Sequence, residues 1–114
     1  MSQRVRVHED TIHAMANWAA RKYGLRHVSV FYRGRINGKN WQTRSGCTVS
    51  LGGGRFLIEL NEHRSYSTLI QVMAHELAHC VTLKRDRMGG HGPKFVSNHM
   101  ALVTAWNAYA AERR

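Results

Sequence analysis

The stretch His75-Glu76-Leu77-Ala78-His79 holds two histidines four residues apart with a carboxylate between them. On a helix, residues i and i+4 share one face about one turn apart. Two imidazole nitrogens at that spacing can reach one zinc ion at about 2.0–2.1 Å. Glu76 sits about 100° round the helix from His75, beside the metal but not on it. A carboxylate in that place can take a proton from metal-bound water, whose pKa zinc lowers towards about 7. The chemistry suggested is metal-assisted hydrolysis.

A catalytic zinc takes three protein ligands and keeps one position open. His91 is the expected third ligand. It follows the Gly89-Gly90 break and precedes Gly92-Pro93, so the chain can turn back and hold it rigidly before the next helix. His8, His13, His27, His63 and His99 read as surface or core histidines, His99 being the one that could hydrogen-bond a ligand histidine. Cys47 and Cys80 form no CxxC pair and read as reduced, packed thiols. Besides the metal, the developing oxyanion needs a stabiliser. Tyr66, His63 and Arg87 are near in sequence, and nothing selects among them.

The elements that position these groups are legible from spacing. Glu9 to Tyr23 predicts a helix with Ile12, Met15, Ala16, Ala19 and Tyr23 on one stripe, stopped by Gly24. His27–Arg33, Cys47–Leu51 and Arg55–Leu60 predict strands, the last two joined as a hairpin through Gly52-Gly53-Gly54. Tyr66 to about Arg85 predicts the helix that carries His75 and His79. Pro93 opens a last helix with Phe95, His99, Leu102, Val103, Trp106 and Ala110 inward. The order helix, three strands, helix, helix predicts an α+β fold, with helices packed on a small sheet. At 114 residues, 43% hydrophobic and 21% charged, the chain is sized for one domain, residues 1–114. Composition excludes collagen-like and disordered classes. No membrane-spanning run and no secretory stretch at MSQRVRVHED are present, so a cytoplasmic protein is expected.

Seventeen Lys and Arg against seven Asp and Glu give a net charge of +10, and no acidic residue lies between Thr11 and Ile58. Such a balance suits a polyanionic partner, nucleic acid above all. Arg33, Arg35, Lys39 and Arg44 surround Trp41 between the first two strands. Cations on phosphates with an indole on a base would fit single-stranded or distorted DNA.

His75-Glu76-Leu77-Ala78-His79 followed by His91-Gly92-Pro93-Lys94-Phe95 resembles the SprT-like metalloprotease pattern, HExxH and then HGxxF. The family includes the Spartan DNA–protein crosslink proteases. The resemblance is specific from about residue 66 to 106. It implies a compact zincin-like fold, zinc on His75, His79 and His91, Glu76 as general base, and peptide-bond hydrolysis in DNA-associated proteins. It also implies that the third strand, Arg55–Leu60, offers an exposed edge to an extended substrate. The cysteine pairs of a C-terminal zinc ribbon are not found, so a minimal form is expected, with DNA contacts made by the catalytic domain itself. Phe95 would then anchor the last helix under the metal loop. Two other functions compete: a metalloprotease with a substrate unconnected to DNA, such as a repressor, and a non-enzymatic nucleic-acid-binding module that zinc stabilises. Glu76 argues against the module, because a structural zinc site does not require it.

Overall fold

The structure is a computed structural model that describes residues 3–33 and 44–113, with the backbone alone for residues 3–9. Helix α1 (Gln3–Tyr23) is followed by strands β1 (His27–Arg33), β2 (Gly46–Gly52) and β3 (Arg55–Asn61). Helices α2 (Tyr66–Asp86) and α3 (Pro93–Glu112) complete the fold. The α+β class and the element order agree with the sequence. Helix α1 begins six residues earlier than its apolar stripe, at Gln3 rather than Glu9.

Period-2 alternation puts Phe56, Ile58 and Leu60 of β3 on the face covered by helices. There they meet the inner stripes of α1 (Ile12, Met15, Ala16, Ala19) and α2 (Leu69, Met73, Leu77, Cys80, Val81) in one core. Helix α1 lies against β1, α2 across β2 and β3, and α3 on α2. Burying each large aliphatic side chain contributes roughly 1.5–3 kcal/mol. The helix that bears His75 and His79 is therefore fixed by the opposite side of its own cylinder. Trp18 of α1 meets Trp106 and Tyr109 of α3 at ring-centroid distances of 5.3 and 6.0 Å, which ties the first and last helices together.

The strand order is β1-β3-β2. β3 pairs in parallel with β1 (Val28 opposite Phe56) and antiparallel with β2 (Thr48 opposite Ile58). The hairpin turn needs left-handed backbone at Gly52, Gly53 and Gly54 (φ 83°, 63° and 78°), which glycine adopts without steric cost. β3 is thus the central strand, and the expected substrate edge is not there. Its parallel partner β1 occupies the side that a two-stranded hairpin would leave open. Among the described residues the edge nearest α2 belongs to β2.

Local signals set the ends of the site-bearing helices. The Ser65 hydroxyl accepts a hydrogen bond from Thr68 N–H at the start of α2. At the other end Arg87 adopts left-handed backbone (φ 53°), and its N–H donates to the Leu83 carbonyl. Pro93 stands in the first turn of α3, where no N–H is needed. No helix among the described residues is long and apolar enough to cross a membrane.

Candidate active site

His75 and His79 leave α2 on one side, and the loop ahead of α3 brings His91 back to them. The His91 Nε2 lies 3.1 Å from His75 Nε2 and 3.2 Å from His79 Nε2. One nitrogen of each ring falls within 4.8 Å of the others, so the three histidines could hold a metal ion. Donors at 2.0–2.1 Å on a tetrahedral ion stand about 3.3 Å apart, close to the two separations found. Protons explain the cluster less well. His91 Nε2 carries at most one hydrogen, and it faces two imidazole nitrogens at once. Three converging neutral lone pairs fit a cation.

Phe95 supports the cluster from below. Its buried ring stacks on His79 at 4.3 Å between centroids and meets the edges of His75 and His91 at 4.9 Å. Helix α3 is held on α2 by Asn98, whose amide donates to the Thr82 hydroxyl (2.9 Å) and the Asp86 carboxylate (3.2 Å). Burial lowers the pKa of His75, and the neighbouring His91 and His99 lower it further. Burial likewise takes His79 down to about 4, with help from His75, His91 and His99. Both shifts favour the neutral rings that metal ligands must be.

Glu76 turns from the cluster towards β2 and is buried. The Thr48 hydroxyl donates to its Oε1 at 2.7 Å and lies 3.2 Å from its main-chain carbonyl. Burial raises the carboxyl pKa; the Thr48 hydrogen bond, His91 and Arg44 oppose that rise. The strand can come this close because residue 46 is glycine. A Cβ there would fall 2.6 Å from Val72 Cγ1 and 3.3 Å from Glu76 Cγ. The start of β2 is pinned by buried Asn61, whose amide donates to the Arg44 carbonyl (3.0 Å) and whose N–H donates to the Ser45 carbonyl (2.9 Å). Ser45, Gly46, Gln71, Val72, His75, Glu76 and His99 enclose a cleft of about 390 Å³ beside the histidines.

The chain matches the SprT-like family over residues 8–114. It belongs to that family. No curated protein and no solved structure matches it. In this SprT-like chain the HExxH and HGxxF segments are the two pieces that the structure brings together at the histidine cluster and Phe95.

Of the expected nucleic-acid set, only Arg33 and Arg44 fall among the described residues. Arg35, Lys39 and Trp41 lie outside the described residues. Arg33, expected on a phosphate, pairs with Glu59 on the open face of the sheet, diagonally across from it, since the β1–β3 register sets Arg33 opposite Asn61 and Glu59 opposite Phe31. Arg44 is exposed and bears electrostatically on Glu76 instead. Tyr66, His63 and Arg87 do not line the cleft. Arg87 lines a separate cavity beside Gly53, Gly54 and Lys84. His99 does approach the centre, 5.7 Å from the His75 ring and stacked on Phe95 at 5.6 Å. Cys80 is buried and free, its thiol pKa pushed far up by burial, with Glu76 adding to the rise.

Gly46, Thr48, Asn61 and Asn98 are not singled out by any motif. One faint signal exists for Thr48. It shares the helix-facing register of β2 with Gly46, a polar residue where an apolar one would normally pack.

Proposed function

We propose that the chain is a zinc-dependent endopeptidase that hydrolyses peptide bonds of DNA-associated proteins. The observation that carries this reading is the convergence of His75, His79 and His91 beside the buried, non-ligating carboxylate of Glu76. A three-imidazole donor set suits zinc and leaves a fourth position free for substrate chemistry. When bound, zinc supplies Lewis-acid polarisation of the scissile carbonyl and acidifies water.

The protein's own groups do the rest. Glu76 receives the proton of the attacking water and later delivers it to the leaving amine. Its burial makes the carboxylate a stronger base than an exposed glutamate. Thr48 holds Oε1, which leaves Oε2 to carry the proton. Phe95 fixes the ring planes of the ligands, and Asn98 fixes the helix behind His91. The edge that β2 presents beside the cleft among the described residues offers backbone N–H and C=O groups on which an extended substrate can pair. Hydrolysis is favoured over a purely structural centre because three histidines leave a metal incompletely enclosed next to a cleft.

The net charge of +10 supports the DNA-associated substrate class, since it draws the enzyme to polyanions and so brings it near the proteins seated on them. The deciding experiment compares cleavage of a basic DNA-binding protein with and without single-stranded DNA, using wild type and Glu76→Gln. The proposal expects DNA-stimulated cleavage that vanishes in the variant and weakens with added salt. Cleavage indifferent to DNA would shift the substrate to a protein unconnected with DNA. Metal and DNA binding without cleavage, alike in wild type and Glu76→Gln, would favour the binding module.

A further inference from the structure

A second cavity, about 320 Å³, opens beside the catalytic cleft where α1, α2 and α3 meet. Its apolar wall comes from Met15, Ile70, Ala74, Val103 and Trp106. Gln71 and His99 line both this cavity and the cleft next to Glu76, so the two share a boundary. We propose that this cavity is a specificity pocket that takes one large apolar side chain, aromatic or branched aliphatic, of the protein substrate. The inference rests on the peptidase reading and names what that reading leaves open.

Position, size and polarity each support it. Gln71 precedes His75 by one turn of α2, about 6 Å along the axis. An extended peptide advances about 3.3 Å per residue, so the pocket mouth is one or two residues from the scissile bond. A cavity of about 150 Å³ suffices for benzene, and this one is roughly twice as large. Among the described residues, no Asp, Glu, Lys or Arg lines it. A charged substrate side chain would lose its water there and gain no counter-ion, which costs several kcal/mol. The walls are also held in place. His99 is stacked on Phe95, and Trp106 packs against Trp18 of the first helix. Continuity with the cleft commits the pocket to the substrate's own side chain.

The test is kcat/KM on a set of metal-supplemented peptide substrates that differ only at the two residues on either side of the cut. Wild type is expected to favour Phe or Leu over Ala by at least tenfold at one fixed position, and to reject Asp there. Each lost methylene in such a pocket accounts for about tenfold or more. Val103→Phe narrows the pocket and should lower the Phe-to-Ala ratio at least tenfold. Ile70→Ala widens it and should move the preference from Leu towards Phe and Trp. Metal content and circular dichroism establish that each variant is folded. Wild-type cleavage with no side-chain preference at any of these positions overturns the pocket. So does a preference that neither variant alters. If wild type cleaves no member of the set and no protein substrate, the peptidase reading itself has failed, and the pocket assignment fails with it.

Discussion

The two faces of the sheet treat a carboxylate in opposite ways. On the open face Glu59 has Arg33 beside it as a counter-charge. On the helix-covered face Glu76 is buried with one hydroxyl, from Thr48, and no cation in direct contact among the described residues. Burial without a paired cation makes a glutamate hungry for a proton. The same residue type is ion-paired on one face and, in the proposed mechanism, a base on the other, and the difference lies in what the fold packs round it.

Exchanging the charges is the harshest way to break this contrast. Glu76→Gln should lower kcat about 10²- to 10⁴-fold, the usual contribution of a general base, while metal content is unchanged. Glu59→Gln should leave kcat within about twofold. Parallel steady-state assays on one substrate decide it.

A smaller effect follows from crowding. Gly46→Ala places a Cβ 2.6 Å from Val72 Cγ1, so β2 must retreat from α2. Overpacking of this kind costs about 1–3 kcal/mol, readable as a lower urea midpoint. Thr48 should move with the strand, so activity falls beyond what unfolding explains.

Thr48→Val sharpens the comparison without displacing the strand. Hydrogen bonds to charged groups contribute about 1.5–3 kcal/mol. Loss of this one raises the Glu76 pKa further, so the acid limb of the kcat/KM profile moves to higher pH. Activity on the plateau should fall about tenfold.

Proton linkage gives a fourth prediction. His79 binds its proton near pH 6.5 when unfolded, and only near 4 when folded. Between those values the unfolded chain holds more protons, so stability is lost as pH falls from about 6.5 to 4. The raised pKa of Glu76 acts in the opposite sense. Chelated Glu76→Gln should therefore show a steeper acid decline in thermal midpoint than chelated wild type.

The smallest effect belongs to the open face. Arg33→Ala should cost no more than about 1 kcal/mol by chemical denaturation, since exposed ion pairs contribute little.

Much of this was legible before any coordinates, for physical reasons that differ by element. Helical periodicity fixes which residues share a face, so His75 and His79 could be paired, and Ile12, Met15, Ala16 and Ala19 could be set on one stripe, which is buried. The breaks at Gly89-Gly90 and Pro93 allowed His91 to be returned to them. Strand order was not legible, because period-2 alternation is the same for a central and an edge strand. That is why β3 reads as an edge, while among the described residues it is the central strand and β2 lies at the edge. Nor could spacing bring Thr48 to Glu76, 28 residues on, because that contact depends on how closely β2 approaches α2. The apolar cavity was equally hidden, since it needs three helices to close it.

The most direct test of the central claim is metal stoichiometry measured beside activity in three proteins. Wild type should bind one zinc per chain and cleave. His91→Ala should lose at least tenfold in zinc affinity and all detectable cleavage, and Glu76→Gln should keep the zinc and lose only cleavage. Full zinc affinity in His91→Ala, or wild-type cleavage in Glu76→Gln, would contradict the account.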